Sequence, residues 1–197
     1  MTRHESLRAE LSRIAAFGVE LRSVEEQDLP MLCHWRNKPE ILPFMGDVRP
    51  VTPQVMRFWL GRVQSGDTVW PYIGCWDGTP VGYIEIKDID WSNSSCTSGI
   101  FLSGKENFST GVSFCLVLCR EIVLARLGLK LLISKIRPNN VRSIRFCTAY
   151  GAEYVRTDGE FLVYHYEFSR RRQKLKTIAA ALGMKDEFAR HFEEGQT

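Results

Sequence analysis

The sequence predicts an α/β domain built on a mixed, mostly antiparallel sheet flanked by helices. Three observations carry that prediction. Strand-like alternation and helix-like spacing take turns along the chain in the order β-α-α-β-β-β-α-β-α-β-β. Asp77-Gly78 and Asp158-Gly159 interrupt strand-like runs, as hairpin turns do. Residues 129–136 form a mostly apolar run around Leu131, Leu132 and Ile133, which reads as a strand covered on both faces. With 197 residues, 44% of them apolar, one domain can bury a substantial core.

The elements follow in order. Leu7, Leu11 and Ile14 recur at helical spacing, so residues 3–16 read as an amphipathic lead-in helix within an N-terminal extension, residues 1–18. Residues 19–24 alternate as a strand does, opening the main domain, residues 19–169. Asp28 and Pro30 mark the start of a helix that ends near Pro39, with Asp28 as its cap. Thr52-Pro53 starts a second helix, through about residue 65. Strands are expected at 69–76, 80–88 and 96–102. A polar loop then leads into a very apolar helix, residues 111–126, stopped by Gly128. A short helix over 141–150 and strands near 152–157 and 161–168 close the domain. Residues 170–197 read as a basic helical tail broken at Gly183, with Arg170 to Lys176 as its solvated start.

Composition excludes several function classes. Net charge is only +3, which does not provide the concentrated basic face of a nucleic-acid binder. The six cysteines include no C-x-x-C pair, and no histidine lies near Cys115 and Cys119, which are one helical turn apart, so no metal site is expected. The chain shows neither a secretion signal nor a membrane-length apolar run, so a cytoplasmic protein with reduced thiols is expected. The tail leaves room for homodimer or partner contacts.

One stretch points to a ligand. A strand runs into a polar loop containing Gly104 and Gly111, and a helix begins at once. A helix N-terminus presents unpaired N–H groups and a positive dipole end, and a glycine there lets a ligand approach the backbone. Together they make an anion cradle suited to pyrophosphate, with Ser109, Thr110 and Ser113 as further donors. Tyr83, Glu85 and Lys87 share one strand face. Trp59, Trp70, Trp91 and Tyr83 could stack on a sugar or base, although most strand aromatics pack.

The segment Arg137-Pro138-Asn139-Asn140-Val141-Arg142-Ser143, running on to Gly151 and Tyr154, follows the apolar strand. Together with Gly111 and the apolar helix, it resembles the GNAT superfamily of N-acetyltransferases over about residues 19–168. That resemblance implies acetyl-CoA, or another acyl-CoA, as co-substrate and a primary amine as acceptor. It implies coenzyme contacts from Ile100, Phe101, Leu102, Ser109, Thr110, Gly111, Val112, Ser113, Asn140 and Ser143. It also implies a carboxylate base at Glu85 and places Cys147 where many members carry a tyrosine acid. Phe108-Ser109-Thr110-Gly111-Val112-Ser113 departs from the family's phosphate loop in its first residue and its last glycine.

A narrower likeness lies in His34-Trp35-Arg36-Asn37-Lys38-Pro39 with Ile41 and Met45. It is similar to a segment of 4-amino-sugar nucleotide N-acetyltransferases and of ribosomal-protein N-terminal acetylases. It implies Trp35, Arg36, Asn37 and Tyr83 at the acceptor, and an amino-sugar nucleotide as the acceptor itself. A peptide N-terminus is the alternative. A silent acyl-CoA-binding or interaction module is the alternative of another class, kept open by the altered loop and Cys147. For Trp35 the residue's own reading is core packing. For Cys147 the choices are a buried apolar group, a proton donor and an acyl acceptor.

Overall fold

The computed structural model describes residues 3–108 and 110–193. Helix α1 (Arg3–Glu10) leads into strands β1 (Arg13–Ala16) and β2 (Val19–Ser23). Helices α2 (Leu29–Arg36) and α3 (Pro53–Ser65) follow. Then come β3 (Trp70–Trp76), β4 (Thr79–Asp90) and β5 (Ser95–Leu102). The apolar helix α4 (Val112–Arg126), β6 (Leu131–Ile136) and α5 (Val141–Ala149) form the next unit. Strands β7 (Glu153–Asp158) and β8 (Phe161–Tyr166) and helices α6 (Phe168–Ala181) and α7 (Lys185–Phe192) complete the chain.

All eight strands join one sheet in the order β1-β2-β3-β4-β5-β6-β8-β7. Neighbours are antiparallel except β5 and β6, which are parallel. The β3–β4 hairpin turns at Asp77 and Gly78, both at positive φ (48° and 74°), the backbone twist that a two-residue hairpin needs.

Each face of the sheet carries its own core. Helix α4 packs with Tyr72, Ile84 and Ile86 on one face. Helices α2 and α3 pack with Ile73, Cys75 and Tyr83 on the other. Because side chains alternate along a strand, Tyr83, Glu85 and Lys87 in the middle of β4 face α2 and α3 while Ile84 and Ile86 face α4.

Two expectations are corrected. The lead-in helix ends at Glu10, and residues 13–16 are an edge strand instead. Ile14 suits either helical or two-residue spacing. The exposure of Arg13 and Ala15 against the burial of Ile14 and Ala16 fits the strand, which pairs along β2. Asp28 does not cap α2 with its side chain. Its carboxylate grips Arg22 with both oxygens at 2.7 Å and accepts the Glu25 N–H at 2.9 Å.

The C-terminal helices α6 and α7 pack into the core. Leu175, Ala179, Phe188 and Phe192 are buried with α4. Arg171, in the basic run expected to be solvated, is fully buried. Glu187 accepts the Phe17 N–H at 2.7 Å, and the rings of Phe17 and Phe192 stack 6.5 Å apart. Phe188→Ala should therefore cost about 3–5 kcal/mol, the range for emptying a buried aromatic site. Urea unfolding measures this; a cost near zero would mean that α7 does not pack as described.

Candidate active site

The parallel pair β5–β6 is joined only at its start, through Ser95 with Leu131, Cys96 with Leu132 and Thr97 with Ile133. Beyond Thr97 the strands part. β5 stays paired to β4 as far as Leu102 opposite Gly82, and β6 stays paired to β8 as far as Ile136. The parting opens a cavity of about 340 Å³ through the sheet. At its closed end β4 carries a bulge between Lys87 and Asp90, with Asp88 at φ 50°. Bulges bend and twist a strand, and they recur beside active sites.

On the α4 side the cavity meets Ser98, Arg120, Ser134, Cys147 and Tyr150. These form a buried polar floor. The Tyr150 hydroxyl lies 3.2 Å from the Tyr166 hydroxyl and 3.9 Å from Cys147 Sγ. Tyr166 donates to Ser134 Oγ at 3.2 Å, and Ser134 donates to the Ser98 carbonyl at 3.3 Å. Arg120 donates to Ser98 Oγ at 3.3 Å and pairs with Glu121 at 3.3 Å. Burial pushes the Cys147 thiol above its ordinary value, against the opposing pull of Tyr166, Tyr150 and Arg120. Tyr150 is raised as well, first by burial and then by Cys147. Burial works against the Arg120 charge, but Tyr150, Glu121 and Tyr166 outweigh it and hold the guanidinium protonated.

On the α2–α3 side the cavity meets Tyr83, Glu85, Lys87, Gly99 and Phe101. Glu85 accepts the Tyr83 hydroxyl at 3.0 Å and pairs with Lys87 at 2.7 Å. Gly99 pairs with Glu85 across the strands, and a Cβ built on it would meet nothing within 4 Å. The glycine thus keeps the passage open beside the carboxylate. Burial, followed by the Glu85 charge, raises the Tyr83 phenol well above its ordinary value.

The structure sorts the expected site residues. Glu85, Tyr83, Ile100, Phe101, Leu102, Asn140, Ser143 and Cys147 all meet at the cavity wall. Asn140 also caps α5, its Oδ1 accepting the Ser143 N–H at 3.2 Å. Thr110, Gly111, Val112 and Ser113 lie at the tip of α4, outside the cavity lining. Gly111 has φ 78°, Val112 is buried, and Thr110 Oγ1 accepts the Val112 N–H at 3.4 Å. Ser109 lies outside the described residues. At the cavity mouth the cation is Arg142, stacked 3.3 Å over the Phe108 ring.

Trp35, Arg36 and Asn37 are absent from the cavity wall, contrary to expectation. Trp35 is buried in the α2–α3 core. Arg36 donates to the carbonyls of Asp47 and Arg49. Asn37 donates to the Val51 carbonyl and accepts the Val51 N–H, both at 2.8 Å. The segment thus fastens the loop whose Glu40, Ile41, Phe44 and Met45 do reach the cavity. Of the four candidate aromatics only Tyr83 lines it; Trp70 donates to the Asp67 carbonyl at 3.0 Å and lies under Arg8. Sequence reasoning missed Arg120, Ser134 and Tyr166, and set Tyr150 aside although it lies one turn from Cys147 on the same helix. Its available signal was Arg120-Glu121 in the middle of an otherwise apolar helix, since buried charges seldom occur without a partner.

A model of the GNAT acetyltransferase domain matches residues 24–95. The chain aligns along 78% of its length, and 95% of theirs, with solved structures of aminoglycoside acetyltransferase AAC(6')-Ib at 25% identity. One is bound to ribostamycin and coenzyme A (TM-score 0.65), the other to paromomycin and acetyl-CoA (TM-score 0.66). In part of its sequence and in its fold the chain is similar to GNAT acetyltransferases. Its GNAT fold is shared with a Bacillus halodurans protein at TM-score 0.71 and 14% identity, over 87% of this chain and 98% of that one. Two curated relatives, aminoglycoside N(6')-acetyltransferases type 1 of Klebsiella pneumoniae and Serratia marcescens, are 36% identical over 70 residues. That match covers 34% of this chain and about a third of those proteins (35%).

Asn37→Ala should destabilise by about 1–3 kcal/mol, because it leaves the Val51 N–H and carbonyl without their partner. Equilibrium unfolding checks this; an unchanged stability would return Asn37 to the list of acceptor-binding candidates.

Proposed function

We propose that the protein transfers an acyl group from acyl-CoA to a primary amine of a cationic amino sugar. The observation that carries this reading is the passage through the sheet, with a carboxylate on one side and a thiol–phenol cluster on the other. Amine acylation needs a group to draw the amine proton, a polarised thioester and a proton for the departing sulfur. Glu85 is the base, directly or through one water. Backbone N–H groups between Ser98 and Leu102, freed from the β6 ladder, hold the pantetheine arm and polarise the carbonyl. Cys147 supplies the proton to the sulfur from the opposite wall. Arg142, with the tip of α4, takes the phosphates. Holding both reactants in one passage supplies much of the rate.

The acceptor side favours a polycation. Glu40, Glu85 and Asp88 line the cavity, where Lys87 is held by Glu85 and Lys135 by Asp158. An amino-sugar nucleotide, which the Trp35-Arg36-Asn37 segment suggested, would bring its diphosphate near these carboxylates at a Coulombic penalty. An aminoglycoside brings ammonium groups, and relatives in solved complexes bind such molecules together with coenzyme A.

The test joins binding and turnover. Acetyl-CoA should raise the melting temperature, because it binds only the folded chain. Thiol release should then follow addition of kanamycin or ribostamycin, and be weaker with a UDP-4-amino sugar or an N-terminal peptide. No thermal shift would point to a non-enzymatic module, and preference for the nucleotide or peptide would overturn the acceptor reading. Glu85→Gln should lower kcat/KM by about 10²–10⁴ fold, the usual contribution of a general base. Gly99→Val should fold normally, as its Cβ meets open space, yet lose the acetyl-CoA thermal shift. A retained shift would place the coenzyme elsewhere.

A further inference from the structure

The floor of the passage holds a charge arrangement that the reaction scheme above does not use. Glu121 lies between two guanidiniums. Arg120 reaches its Oε1 at 3.3 Å and Arg171 reaches its Oε2 at 2.7 Å. All three side chains are at most 3% exposed. Arg171 comes from α6, and it also donates to the Tyr166 carbonyl at 2.9 Å. Two guanidiniums against one carboxylate leave the group with one net positive charge, and of the three only Arg120 reaches the cavity. Among the described residues, Arg120 Nε has no hydrogen-bond partner. Its guanidinium carbon lies 5.8 Å from the centre of the Tyr150 ring, whose hydroxyl contacts Cys147.

An Arg–Glu pair alone would be neutral and would offer the cavity little field. A buried charge keeps its reach where water cannot screen it. We propose that Arg171, carried by the C-terminal segment, is a positioning residue: by occupying Glu121 it leaves Arg120 with an uncancelled charge that favours the thiolate form of Cys147. This rests on the transferase reading for its purpose. When Cys147 gives its proton to the departing sulfur, the Sγ–H bond breaks, an S–H bond forms on the leaving thiol, and the electron pair stays on Sγ. That negative charge then lies beside the Tyr150 hydroxyl and the Arg120 guanidinium. The proton drawn from the amine returns to Sγ through water and restores the thiol.

The groups around Cys147 are few. The end of α5 provides Tyr150, β8 provides Tyr164 and Tyr166, and α4 provides Arg120, which is paired to the Glu121 that Arg171 of α6 also holds. β6 and β5 contribute the uncharged Ser134 and Ser98. The tyrosines are neutral over the range tested, so the balance among Arg120, Glu121 and Arg171 sets the field.

The experiment follows iodoacetamide labelling of Cys147 in the full-length protein, across neutral to alkaline pH, by mass spectrometry of its peptide. Arg171→Met removes the net charge and should slow labelling about tenfold at neutral pH, equivalent to one pKa unit. Glu121→Gln adds to the charge and should speed it. The double variant Glu121→Gln/Arg171→Met restores one net positive charge and should label at close to the original rate, as should Arg171→Lys. A double variant as slow as Arg171→Met, or rates indifferent to all four changes, would overturn the proposal. If Arg171→Met does not fold, the increase in Glu121→Gln decides alone, and an unchanged rate there overturns it. The labelling needs no acyl-CoA. Charge-dependent labelling without amine acylation sinks the transferase reading alone, whereas normal acylation with charge-blind labelling sinks this proposal alone.

Discussion

The rest of the structure depends on where β5 and β6 stop pairing. Three ladder positions tie the strands together, after which each continues with its other neighbour. A strand edge left without a partner normally costs free energy if buried, because its N–H and carbonyl groups lose their hydrogen bonds. Here Ser134 takes the Ser98 carbonyl, and the remaining edge borders a cavity that a ligand backbone or arm can fill. The parted strands also connect two faces that an intact sheet would separate. One face supplies a carboxylate held by Tyr83 and Lys87, and the other supplies a buried thiol. Neither alone could serve both ends of an acyl transfer.

The helices on each face exist to hold those walls in place. α2 and α3 bury Tyr83, and the Asn37–Val51 contacts fix the loop whose Ile41, Phe44 and Met45 line the cavity. α4 brings Arg120 and Glu121 into an apolar layer, where an unpaired ion would be costly. The C-terminal helices answer that cost by supplying Arg171 from a segment that also seals the α4 core with Phe188 and Phe192. Stability and site chemistry are therefore coupled through one helix pair at the end of the chain.

Much of this was legible in the sequence. Asp77-Gly78 fixed a hairpin because both residues tolerate left-handed backbone, and Gly128 ended α4 for the same reason. Two-residue alternation around Glu85 placed it correctly on a face with Tyr83 and Lys87. The edge strand β1 was hidden because four residues are too few to separate strand from helix periodicity. Trp35-Arg36-Asn37 misled because polar residues that fasten a loop look the same in sequence as polar residues that bind a ligand. The floor of the site was invisible for another reason. Tyr166 and Ser134 come from β8 and β6, and only the long-range sheet order brings them to Cys147.

The most direct measurement is a crystal structure of the protein grown with acetyl-CoA. The account predicts the acyl carbonyl between β5 and β6 at the level of Gly99, within hydrogen-bonding distance of β5 backbone N–H groups, with Cys147 on one side and Glu85 on the other. A coenzyme bound outside that gap, or strands paired along their full length with it bound, would contradict the account.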